Sequence, residues 1–129
     1  MTAPGTKDTV SLAVERFFQG QVGLYLAFKK TCLAQFQRDV LAFDTALLNH
    51  DLAAARRNAH SLKTVLDMLG CELPRQHALQ AELAALDGDV GAAQAVWKLL
   101  REELLLLAQP DLALNSAALL LEPDSDRSA

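Results

Sequence analysis

The chain is short of the residues that build sheets. Its 129 residues include five Phe, one Trp and one Tyr, and β-branched side chains are scarce. Alanine and leucine dominate the 51% that is apolar, a balance that favours helices over strands. Only two cysteines occur, Cys32 and Cys71, which form no metal-like pair; free thiols in a reducing compartment are expected. No long basic run offsets the net charge of −4, which argues against a nucleic-acid partner. Basic and aromatic residues do not interleave either, so stacking on single strands finds no platform. No apolar stretch approaches the roughly 20 residues needed to span a bilayer. The opening MTAPGTKDTV lacks a signal-peptide core. A cytoplasmic protein without membrane association is therefore expected. There is also no Gly-rich phosphate loop, which leaves autonomous kinase or nucleotide-hydrolysing activity without support.

What the chain does have is helical periodicity in one domain-sized length. Residues 1–8 form a polar, flexible lead, residues 9–108 a helical domain, and residues 109–129 a tail. Asp8 or Thr9 caps a first helix with Val10, Val14, Phe17 and Phe18 on one face, ended by Gln19-Gly20-Gln21. A long second helix over 22–49 carries Tyr25, Phe28, Cys32, Phe36, Phe43 and Leu47, widened by Leu33, Val40 and Leu48. Asp51 caps a third helix over 52–69. Its Leu52, Ala55, Ala59, Leu62, Leu66 and Leu69 advance by threes and fours, and Gly70 stops it. A fourth helix over about 74–86 has Pro74 in its first turn, with Ala78, Leu79, Leu83 and Leu86 inward. Asp89 caps a fifth over 90–108, which aligns Ala93, Val96, Trp97, Leu100, Leu104 and Leu107. The pattern predicts an all-α fold, an antiparallel up-down four-helix bundle with an additional N-terminal helix across one end. Leu112–Leu121 in the tail is apolar and is expected to pack back onto the bundle, since a bare patch would be a liability.

One histidine stands apart. At 100° per residue the seam of the third helix is centred about 130° from His60, so its imidazole points away from the core. Arg56, Arg57, Lys63 and Thr64 fall within about 60° of it as neighbours at three and four residues. His60 thus sits in a local positive field on an acidic protein, with Asp67 two turns on as a partial offset. A neutral imidazole is a nucleophile, and surrounding cations favour a phosphoryl group once it arrives, Lys63 being best placed to meet its oxygens.

Ala59-His60-Ser61-Leu62-Lys63, with Gly70 ten residues past the histidine, resembles the signature of histidine-containing phosphotransfer (HPt) domains. The resemblance spans roughly 14–107 and takes in the helices before and after the motif. It implies that His60 accepts a phosphoryl group from a receiver-domain aspartate and passes it to another receiver. It also implies that Lys63 neighbours the phosphate, with Arg56 and Arg57 adding charge, while Glu82 on the next helix orients the imidazole. The implied partners are receiver domains of response regulators and hybrid histidine kinases. The receiver would bring Mg²⁺ and most of the catalytic machinery; this chain would be a monomeric phosphocarrier, with no cofactor of its own and no enzyme activity. The family usually places glycine after the lysine. Here Thr64 adds bulk to the docking surface that it shares with Asp67, which keeps open a second reading, a helical adaptor that binds a receiver or kinase without relaying phosphate.

Other candidates carry less. His50 and His77 lack partners at ligand spacing, so no metal site is expected. Cys32 and Trp97 read as core, and Glu102 and Glu103 as a solvated face.

Overall fold

The computed structural model describes residues 8–109. Among these there are five helices and no strand: α1 Thr9–Phe18, α2 Val22–Leu48, α3 Leu52–Leu69, α4 Glu72–Leu86 and α5 Val90–Ala108. The fold is all-α. The lead before Asp8 and the apolar stretch of the tail lie outside the described residues.

Three helices begin on an aspartate. Asp8, Asp51 and Asp89 each accept a hydrogen bond from the backbone amide three residues on, Ser11, Ala54 and Ala92. Each bond satisfies one of the amides that a helix start leaves unpaired. The amide of Ser11 also holds the exposed Asp8 carboxyl below its usual range. α3 ends as its sequence dictates, on Gly70 in the left-handed region at φ +76°. That glycine does more than end a helix. A Cβ there would lie 2.6 Å from the Thr9 carbonyl oxygen, so only glycine lets α1 come this close. Thr9 then donates its hydroxyl to the Gly70 carbonyl, and Tyr25 donates to the Leu69 carbonyl at 2.7 Å. α1 and α2 are thereby fastened to the C-terminal end of α3 through carbonyls it cannot pair itself.

The core runs through all five helices, with Phe36, Phe43, Leu66, Leu69, Leu100 and Leu104 its largest fully buried side chains. Between α2 and α5 the Phe43 and Trp97 rings stack, 4.0 Å between centroids and 6° apart in plane. Asp44 closes that seam from the outside, accepting from Trp97 Nε1–H at 2.7 Å and from Arg101 Nε–H at 3.1 Å. The buried indole donor is thus satisfied, as a core Trp requires.

Three expectations need correction. α4 starts at Glu72, two residues before the expected boundary, and Pro74 lies in its first turn as expected, where a missing N–H costs nothing. The inward residues of α4 are Ala78, Ala81 and Ala85, while Leu83 and Leu86 are exposed. α3 and α4 form the most extensive helix pair, and alanines let the backbones approach where leucines would hold them apart. Leu48, at the end of α2, is likewise exposed rather than part of the stripe.

Candidate functional site

α3 divides its sequence between two environments. Ala55, Ala59, Leu62, Leu66 and Leu69 are buried, and the opposite face carries His60, whose side chain is 60% exposed. α4 runs alongside and brings Glu82 across. Its Oε2 lies 2.9 Å from His60 Nδ1, and its Oε1 lies 2.8 Å from Lys63 Nζ. One carboxylate therefore holds the side chains of both His60 and Lys63.

The charge state of Glu82 follows. Lys63 is the main influence that keeps its carboxyl below the usual range; partial burial opposes this, and His60 adds to the lowering. An ionised carboxylate only accepts, so Nδ1 carries a proton and donates to it. In a neutral ring that leaves the lone pair on Nε2, on the far side of the imidazole from Glu82. The ring is held by one nitrogen and offered by the other.

Around this triad the remaining residues take distinct places. Arg56 and Arg57 are exposed on the turn of α3 before His60. Thr64 is exposed, and its hydroxyl donates back to the His60 carbonyl at 3.2 Å, so its polar group is turned onto the helix. Asp67 is partly buried and lines a small cleft of about 110 Å³ with Leu12, Arg16 and Phe17 of α1. Of the residues singled out in the sequence, the structure joins His60, Lys63 and Glu82 directly. The Lys63 ammonium is paired with the same carboxylate that meets the imidazole.

A second histidine–carboxylate pair escaped the sequence reading. His77, considered in the sequence only for metal-ligand spacing, has Nδ1 2.8 Å from Glu103 Oε1 of α5. The two stand 26 residues apart, beyond the reach of any helical spacing. Glu103 is accordingly no free solvated face. At 14% exposure the His77 side chain is largely covered, unlike His60. Both cysteines are free thiols, Cys32 buried and Cys71 half-buried, and burial raises the pKa of each. Among the described residues no cluster of three or more His, Cys, Asp or Glu is arranged around a common point for a metal, and no helix is long and apolar enough to cross a membrane.

Neither a protein-family model, nor a curated protein, nor a solved structure matches the chain.

Proposed function

We propose that the protein is a histidine phosphotransfer protein of a two-component phosphorelay. Its frame would be an antiparallel up-down four-helix bundle, α2–α5, with α1 across one end. The observation that carries this reading is the exposed His60 ring, fixed through Nδ1 by Glu82 and open at Nε2.

The chemistry is a transfer between receiver aspartates. The Nε2 lone pair attacks phosphorus of an aspartyl phosphate, the P–O bond to the aspartate breaks, and that oxygen leaves as carboxylate. No proton need move, because Nδ1 keeps its own. The phosphorylated ring is cationic, and the Glu82 carboxylate facing Nδ1–H offsets that charge. Lys63, Arg56 and Arg57 supply a positive surround for the phosphoryl oxygens. Passing the group on reverses these steps with a second receiver. The chain acts as a carrier, while the receivers contribute the Mg²⁺ and the rest of the catalytic apparatus.

Incubation with a phosphorylated receiver domain should place an acid-labile, base-stable label on the chain. His60→Gln should take up none. Equal labelling of that variant would refute the assignment.

A second reading has its own observation. Thr64 stands exposed beside His60, where its methyl adds bulk to the surface that a partner must meet. A non-relaying adaptor of the same fold would bind a receiver tightly yet never acquire label. Rapid transfer to His60 excludes it.

A further inference from the structure

We propose that Lys63 is a positioning residue, kept on the Glu82 carboxylate while His60 takes up and releases phosphoryl, and that Arg56 and Arg57 meet the phosphoryl oxygens. This division of roles rests on His60 being the phosphoacceptor. In the sequence the three cations look alike, each one turn from His60 on the same side of α3. Their surroundings in the fold separate them.

Lys63 is committed to an oxygen that solvent does not reach. Glu82 Oε1 is buried, accepts no other hydrogen bond among the described residues, and has the Lys63 ammonium 2.8 Å away. The lysine side chain is itself 26% exposed, against 60% for His60. An ammonium that swung out to a phosphoryl group would strand an ionised oxygen, and a buried charge left unpaired is costly. Without its cation the carboxylate would turn toward water and release the ring. Lys63 is also the main influence that keeps Glu82 ionised, ahead of His60 and against the pull of partial burial. No other charged group of α3 or α4 takes its place. Glu72 holds Arg75, His77 turns to Glu103 of α5, and Asp67 lines the cleft with Arg16 of α1. Lys63 therefore acts on His60 through Glu82, fixing which ring nitrogen carries the proton.

Arg56 and Arg57 are placed for the other task. Both are exposed, and among the described residues neither has an ion pair or a side-chain hydrogen bond. The Cα–Cβ bond of His60 tilts toward the N-terminus of α3, over the turn that carries them. A phosphoryl group on Nε2 stands across the ring from Glu82, the group that holds the ammonium. Guanidinium forks match paired phosphoryl oxygens in a way that a single ammonium does not. Two uncommitted forks thus stand one turn from the nitrogen that takes phosphoryl, and the bound lysine adds only its field.

The test uses the full-length chain and its Lys63→Met variant, which keeps the apolar stem and removes the charge. Carbon NMR should show the Glu82 carboxyl titrating higher in the variant, by roughly half a pH unit or more. Nitrogen NMR should show His60 passing from the Nδ1–H form to a mixture of tautomers, and Lys63→Arg should restore both signals. Transfer from a phosphorylated receiver should slow about tenfold in Lys63→Met and in Glu82→Gln, and the double variant should be no slower than either. Arg56→Gln with Arg57→Gln should leave the Glu82 and His60 signals unmoved. It should instead lower the phosphorylated share of His60 at equilibrium with the receiver by about tenfold. A Glu82 titration unmoved by Lys63→Met, or losses that multiply in the double variant, would overturn the division of roles. So would an undiminished phosphorylated share in the arginine variant. A native chain that takes no label from any receiver would refute His60 as the phosphoacceptor, a result distinct from all of these.

Discussion

Glu82 divides its two oxygens between a histidine and a lysine, and that division controls the site. Replacing it by Gln keeps the shape and removes the charge. Nδ1 then loses its obligate acceptor, the ring is freer to take either tautomer, and phosphotransfer should slow about tenfold, the equivalent of about 1.4 kcal/mol. Nitrogen NMR of His60 should show the Nδ1–H form in the native protein and a mixture in the variant. The carboxylate also sets an acid response. Its pKa is lowered in the folded chain from 4.5, so the stability it adds is complete above that value. That stability is lost as the pH falls through the lowered pKa. Denaturation measured against pH should therefore show the stability gap between native protein and Glu82→Gln closing below pH 4.5. Thr64 gives the opposite prediction. Thr64→Gly removes bulk beside His60 and should speed transfer from a bound receiver several-fold. It should cost under about 1 kcal/mol of helix stability, since glycine is the poorer helix former. A rate that fell with the substitution would assign Thr64 a favourable contact instead.

At the scale of elements, glycine separates two jobs that look alike in sequence. Gly70 and Gly88 both hold φ near +75°, yet a Cβ meets the backbone of α1 at Gly70 and open space at Gly88. Gly88→Ala should cost about 1–2 kcal/mol for the left-handed backbone alone. Gly70→Ala should cost at least about 3 kcal/mol, because α1 must also move. Denaturant melts of the two variants decide this, and equal losses would deny the close approach. The contrast also marks what the sequence could say. The starts of α1, α3 and α5 were legible because Asp8, Asp51 and Asp89 act within three residues of themselves. The seam of α3 was legible from its spacing. The start of α4 was not, since proline is tolerated at several positions of a first turn. The choice of alanine over leucine for the inner face of α4 was set by the neighbouring helix. His77–Glu103 and Asp44–Trp97 were hidden for the same reason: each depends on where two helices are placed, which no local pattern records. Glu82 came into view only through the family resemblance of the motif.

Over the whole molecule, charge is unevenly spent. The chain carries −4 overall, while Arg56, Arg57 and Lys63 gather on the His60 side of α3. A partner with an acidic phosphorylation site would be drawn to that patch against the mean field. Its encounter rate should fall about tenfold between low salt and roughly 0.5 M as screening shortens. Arg56→Glu with Arg57→Glu should flatten the salt dependence while leaving the fold intact, as both residues are exposed. Stopped-flow measurement of transfer at several ionic strengths would show it, and a salt-independent rate would deny any steering role.

The stacked pair of Phe43 and Trp97 has a use outside stability. Trp97 is the only tryptophan of the chain, it is 5% exposed, and it belongs to the seam between α2 and α5, apart from the His60 cluster. Its emission is therefore an intrinsic gauge of whether the helices are packed, deaf to events at the imidazole. Loading His60 with phosphate should leave the spectrum unmoved, whereas loosening of α5 should shift it to the red, and the two can be followed in one cuvette.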